Sequence, residues 1–327
     1  MKKSLSKKII IIFIKLLVGV LSFWLIYHRL HQIPNFKEEC LRLFNSAQTL
    51  YILGLVLLMM PINWGIESFK WQLITKSTEH ISFKTAIKSV FSGICLGNLA
   101  PGRAMEFLAK IYFFKPQNKP TVTVLHFING MFQMLITVTM GIIAVALKAN
   151  ENKQHTTVVY LMIFGGILLI MGFCLAILNV GFIQKKLTFL KWFNTLKEGN
   201  VVSFSKTLLA SLISLSIIRY VVFTTQFYLI YSAFTPAVSV TQTFIGIAAY
   251  FMLTSIIPMI SVIEPAIRAA IALFVFNNVA DNSVTIVLSS TFLWLINVIV
   301  PSFLGYLIIL RQKIDIKSFS LKQSNDD

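Results

Sequence analysis

Eight ionisable side chains lie within or beside long aliphatic and aromatic runs: Glu67, Lys70, Arg103, Glu106, Lys110, Arg219, Glu264 and Arg268. A charged side chain at the centre of a bilayer costs roughly 2.5–3.5 kcal/mol on insertion scales. Such groups must therefore pair with one another, face water or, in the case of a Glu, take up a proton. Two spacings favour pairing. Glu106 precedes Lys110 by one helical turn, and Glu264 precedes Arg268 in the same way, the order that stabilises a helical ion pair. A second chemistry is anion binding, and the stretch GNLAPGRAMEFLAK points to it. Arg103 sits beside Pro101–Gly102, where the chain must turn, and close to the start of the next helical arm. Open backbone N–H groups and a guanidinium there suit an anion such as a lipid phosphate. Asn98 adds polar contact or close backbone packing at the same turn.

The elements that must hold these groups are membrane helices. The chain has 327 residues, 56% of them hydrophobic and only 13% charged, with a mean hydropathy of +0.78. A soluble domain carries about a quarter charged residues. Apolar runs predict full spans over 9–27, 49–69, 122–147, 157–180, 207–234 and 284–310, each long enough for a hydrocarbon core of about 30 Å. The first of these follows a basic N-terminus and has no A-x-A cleavage site, so it reads as an uncleaved span.

Two further stretches, 85–114 and 241–276, are interrupted by Pro101 and Pro258. Their arms are too short to cross alone at ~1.5 Å per residue. Loop charge decides how they lie. If both are re-entrant hairpins and the N-terminus is cytoplasmic, 20 cations fall inside and 5 outside; if both cross, the division is 14 against 11. The expected fold is thus an all-α polytopic membrane protein with six full spans and two oppositely oriented re-entrant hairpins. Both termini lie in the cytoplasm, with a tail over 312–327.

Each half then contains two spans, a hairpin and a third span. Three crossings are odd, so 1–150 and 151–311 form an inverted repeat. The spacing agrees: Pro101 lies nineteen residues after Ser82, and Pro258 nineteen after Ser239. Lys70–Trp71 and Arg219–Tyr220 form a matching cation–aromatic pair in the preceding span of each half.

The remaining features are simpler. The formal charge of +17 resides in short loops and is topological, which argues against nucleic-acid binding. Cys40, Cys95 and Cys174 have no CxxC spacing. No Walker A, HExxH, GxSxG or DxD motif occurs, and every Asp lies in a loop or the tail. The chain is expected to be no enzyme and to need no metal or cofactor. Leu187, Leu190, Phe193 and Leu196, interleaved with lysines, suggest an amphipathic surface helix over 183–198. Lys15 should snorkel to the inner surface. Glu67, Lys70 and Trp71 read as the cytoplasmic end of the second span, with Trp71 an interface anchor. His126 and Gln133 share a helix face suited to interhelical hydrogen bonds, and Asn297 with Pro301 marks a kink.

WGIESFKWQLI followed by GICLGNLAPGRAMEFLAK resembles the flippase-like family that includes the transmembrane region of lysylphosphatidylglycerol synthases. Pro101, Gly102, Arg103 and Glu106 match its first-hairpin motif, and Lys70 stands where the family usually has Arg. The second hairpin, PMISVIEP, departs from the glycine-rich turn common there. The resemblance implies a bacterial inner-membrane protein with inverted re-entrant hairpins. Because no synthase domain accompanies it, aminoacyl transfer is not implied. The expected function is ATP-independent movement of a phospholipid or other lipid head group, bound by Arg103, Glu106, Gly102, Asn98, Lys110, Glu264 and Arg268. Glu67, Lys70, Trp71, Arg219, Pro101 and Pro258 support that site. Membrane lipids and a lipid synthase are the expected partners. The competing expectations are a non-transporting scaffold for a lipid-modifying or envelope-assembly enzyme, and a carrier of polyprenyl-linked glycans.

Overall fold

The computed structural model describes residues 36–98, 105–151, 157–187, 202–235, 239–257, 264–276 and 283–312. All regular structure among the described residues is helical. The helices are α1 (Phe36–Phe44), α2 (Ala47–Thr75), α3 (Phe83–Gly97), α4 (Glu106–Ile111), α5 (Lys119–Glu151), α6 (Thr157–Leu178), α7 (Val180–Leu187), α8 (Lys206–Phe234), α9 (Val240–Ile256), α10 (Glu264–Phe276), α11 (Ser283–Trp294) and α12 (Val300–Arg311). A π-helical turn, Leu295–Ile299, joins the last two into one continuous element.

Five stretches are long and apolar enough to cross a membrane: Ala47–Thr75, Pro116–Asn150, Thr157–Leu178, Lys206–Phe234 and Val284–Arg311. This is a multi-pass membrane protein. The five correspond to five of the six spans read from the sequence. The sixth, 9–27, lies outside the described residues, as does the 312–327 tail beyond its first residue.

Serine caps start four of these helices. Ser46, Ser82, Ser205 and Ser239 each accept a hydrogen bond from the backbone N–H three residues on, which satisfies a donor the helix leaves open. The stretches flagged by proline are short. α3 has 15 residues and α4 has 6, α9 has 17 and α10 has 13. α3 packs on α4, and α9 on α10. At ~1.5 Å per residue even the longest of them reaches about 25 Å, short of a hydrocarbon core.

The two halves pack reciprocally. α2 lies against α8. The third span of the first half, α5, packs on α9 of the second, and the end of the last span, α12, packs on α3 of the first. Both crossed contacts use a glycine. A β-carbon at Gly141 of α5 would fall 2.2 Å from the Met252 β-carbon, and one at Gly305 of α12 would fall 2.0 Å from the Phe91 carbonyl oxygen. Helix backbones approach this closely only where a side chain is missing.

The kink expected at Asn297 and Pro301 takes the form of the π turn. Pro301 has no N–H to offer the Asn297 carbonyl one turn back. The Asn297 side chain instead donates to the Leu293 carbonyl at 3.2 Å and accepts from Asn63 Nδ2 at 3.1 Å, which ties the last span to α2. Of the expected surface helix over 183–198, Val180–Leu187 is described; its Lys185 and Lys186 are exposed and its Val180 and Gln184 buried.

Candidate functional site: a buried charge cluster on Glu67

Asn63, Glu67, Lys70 and Trp71 recur at helical spacing on one face of α2, and all four are buried. The sequence reading put Glu67, Lys70 and Trp71 at the cytoplasmic end of the span, with Trp71 at the interface. All three do lie in the last third of α2, but the structure corrects the reading of Trp71 as an interface anchor. Trp71 and Lys70 are each 0% exposed. Trp71 Nε1 donates to Ser89 Oγ at 2.9 Å, and Ser89 Oγ donates to the Lys110 carbonyl at 3.0 Å. The indole is thus a bracket between α2, α3 and α4 and anchors nothing at a surface. Lys70 and Lys110, counted above as loop cations, are interior groups. Without them the inside count is still 18, which is 20 less these two.

Glu67 is the hub. Its Oε1 accepts from Asn129 Nδ2 of α5 at 2.8 Å and lies 3.9 Å from Lys110 Nζ of α4. Its Oε2 lies 3.4 Å from Arg219 Nη1 of α8 and 3.8 Å from Lys70 Nζ of its own helix. Four helices meet on one carboxylate. Lys110 also pairs with Glu106 at 3.0 Å, one of the two helical pairs expected from spacing.

The surroundings hold these charges in place. The Arg219 guanidinium lies 5.0 Å from the ring of Trp64 and 5.2 Å from that of Phe223. It also donates to Gln133 Oε1 at 3.4 Å, while Gln133 Nε2 donates to the Ser216 carbonyl at 3.4 Å. The Lys110 ammonium stands 5.3 Å over the Trp71 ring, and its aliphatic stem lies on Gly93, where a β-carbon would come within 2.9 Å of Lys110 Cγ. Cations desolvated against aromatic faces gain up to about 2 kcal/mol each. Burial alone would cost several kcal/mol per ion, so rings and carboxylates act together to keep the charges inside.

The second expected pair also forms. Arg268 Nε and Nη2 both lie 2.8 Å from Glu264 Oε1. Glu264 opens α10 and is buried, whereas Arg268 retains 21% of its side-chain exposure. Among the described ion pairs these two residues pair only with each other.

The structure therefore brings together Glu67, Lys70, Glu106, Lys110 and Arg219, with Trp71 beside them. It places Glu264 and Arg268 in a separate pair. Asn98 closes α3 and donates from Nδ2 to Ser302 Oγ of α12, a packing contact between the halves. Pro101, Gly102, Arg103 and Pro258 lie outside the described residues.

Asn129, Trp64 and Ser89 were missed in the sequence. Asn129 was within reach, because it lies three residues after His126 and four before Gln133, on the face already noted. Gln133 makes the interhelical hydrogen bonds expected of that face. His126 meets the Trp71 ring edge-on at 6.2 Å between centroids. Among the described residues, no group of three or more His, Cys, Asp or Glu side chains is placed to hold a metal.

Residues 12–263 match the family described as the lysylphosphatidylglycerol synthase TM region. The chain belongs to that family. The match takes in both spans that carry the cluster, α2 and α8, and stops one residue short of Glu264. Every member of the cluster lies within the lysylphosphatidylglycerol synthase TM region, whereas the Glu264–Arg268 pair lies past its matched end. No curated protein matches the chain.

Proposed function

We propose that the protein is an ATP-independent lipid translocase that carries a phospholipid head group across the bacterial cytoplasmic membrane, without enzymatic turnover of its own. Membership of a lipid-associated membrane family supports a lipid as cargo. The observation that carries the reading is the Glu67 hub. A carboxylate and three cations from α2, α4 and α8 are held inside the bundle, where only a polar ligand or a moving interface gives them use.

In this reading the short packed pairs α3–α4 and α9–α10 are re-entrant hairpins, and 1–150 and 151–311 are inverted repeats with both termini in the cytoplasm. The reciprocal packing of α5 on α9 and α12 on α3 supports the repeat, since a two-fold relation requires each half to offer the other the same contact. The ion pairs of Lys110 and Arg219 on Glu67 join the first hairpin to the second half. Exchange of those partners is the step by which a head group switches access from one face to the other.

The test is reconstitution into liposomes with fluorescent phospholipids and a membrane-impermeant quencher. Wild type should expose inner-leaflet lipid to the quencher. Glu67→Gln, Arg103→Gln and Glu106→Gln should slow that exposure at least tenfold at equal incorporation. Equal rates for wild type and all three variants, or no movement of any lipid by wild type, overturn the proposal.

A further inference from the structure

The charges of the cluster do not balance. Among the described residues it holds two carboxylates, Glu67 and Glu106, and three cations, Lys70, Lys110 and Arg219. One positive charge is left over. The surplus is located at Lys70, whose ammonium is 0% exposed and has no hydrogen-bond partner among the described residues. Its nearest carboxylate oxygen, Glu67 Oε2 at 3.8 Å, is shared with Arg219, and Oε1 is taken by Asn129 and approached by Lys110. An ammonium has three N–H groups to satisfy, and a buried charged donor left without an acceptor is destabilising. Trp64, Trp71 and Phe223 line the cations, so water does little to screen the excess.

We infer that this cluster selects a lipid head group by the sign of its charge, taking a phosphate diester with one net negative charge against Lys70. The assignment of the ligand as a lipid rests on the translocase reading. The phosphate supplies both things Lys70 lacks, an acceptor oxygen and the balancing charge. A zwitterionic head group supplies the acceptor but returns a cation to a site that already has too many. A cationic head group raises the surplus from one to two. The order of preference is anionic, then zwitterionic, then cationic. Glu106 is the most exposed member of the cluster at 17%. An entering head group therefore meets Glu106 and its partner Lys110 first, and displacing Lys110 from Glu106 opens the way towards Glu67 and Lys70.

Binding is read apart from transport. The purified full-length protein in detergent is offered an equimolar mixture of phosphatidylglycerol, phosphatidylcholine and the cationic ethyl-phosphatidylcholine, and retained lipid is counted by native mass spectrometry. Wild type should retain phosphatidylglycerol over phosphatidylcholine by about tenfold, the equivalent of one charge-assisted hydrogen bond, and the cationic lipid least. In Lys70→Met that ratio should fall towards one, and in Lys70→Arg it should persist. Equal retention of the three lipids by wild type, or an unchanged ratio in Lys70→Met, overturns the inference. The liposome experiment separates the two readings. Ordered retention without movement of any lipid defeats the translocase and leaves the binding preference standing. Movement without charge order defeats the binding preference alone.

Discussion

The two halves of the molecule handle buried charge differently on matching frames. α2 and α8 are each 29 residues long and start from a serine cap, Ser46 and Ser205. Counting 21 residues from each cap reaches Glu67 in one helix and Gln226 in the other, and counting 18 reaches Trp64 and Phe223. Those two rings flank the same guanidinium, that of Arg219. Glu67 gathers cations from three helices and an amide from a fourth, whereas Gln226 donates one hydrogen bond to the Val56 carbonyl at 3.0 Å. The ion pairs on the short helices α4 and α10 differ likewise. Glu106–Lys110 feeds into the hub, while Glu264–Arg268 stands apart from it and reaches Tyr250 of α9. Two helices of like length and cap need similar packing, but they do not need a charge at the same position. The hub is therefore laid over packing that α8 achieves at the corresponding position with a single neutral hydrogen bond.

Substitutions that treat the halves alike should expose this difference. The largest contrast is expected between Glu67→Gln and Glu264→Gln. The first takes the carboxylate away from Lys70 and Arg219 in the interior, while Lys110 keeps Glu106, and should cost about 3–5 kcal/mol, the range for breaking a buried ion pair from one side. The second leaves a single, partly exposed Arg268 and should cost about 1 kcal/mol or less. Thermal unfolding in detergent reads both, and equal losses would erase the distinction.

The packing glycines come next. Gly305→Ala drives a methyl group into the Phe91 carbonyl, and Gly141→Ala drives one onto the Met252 β-carbon; both neighbours are fixed by the helix backbone and cannot move aside. Overpacking should cost about 3 kcal/mol at each of the two crossed contacts, read by the same unfolding measurement, and a large loss at one with none at the other would break their equivalence.

A double-mutant cycle sharpens the comparison further. Glu67→Gln with Arg219→Gln should show a coupling of about 2 kcal/mol, and Glu67→Gln with Arg268→Gln should be additive within about 0.5 kcal/mol. The smallest effect tests what the halves share. Ser46→Ala and Ser205→Ala should each cost about 1 kcal/mol in unfolding, with no difference between them.

Much of the fold was legible because its signals are local. Apolar length marks a span, a proline with a glycine marks the break between α3 and α4, and four-residue spacing marks the pairs Glu106–Lys110 and Glu264–Arg268. The cluster itself is not a local property. Glu67 and Arg219 are separated by 152 positions, and helical periodicity states which side chains share a face without stating what the face meets. Trp71 was misplaced for the same reason. A Trp near the end of a hydrophobic run is the usual sign of an interface anchor, and only the approach of Ser89 from α3 shows that it is interior. Lys70 was hidden by its company, since a lysine at the end of an apolar run is ordinarily counted with the loop.

The π-helical turn at Leu295–Ile299 sets a tolerance on the gene. Such a turn accommodates one more residue than the α-helix it interrupts, and each residue of an α-helix rotates the next by about 100°. Asn297, bonded to Asn63, and Gly305, seated on Phe91, lie within or beyond this turn and face different helices. Removing one codon inside the turn would rewind it into regular helix and leave Gly305 against Phe91, whereas removing one between residues 300 and 304 would swing Gly305 about 100° away from Phe91 and bring a residue with a side chain there. The same deletion inside α6, which is largely exposed along its length, would only shift which apolar residues meet lipid. Single-residue deletions should therefore be scarcer between residues 300 and 304 than inside the turn at 295–299 or in Thr157–Leu178.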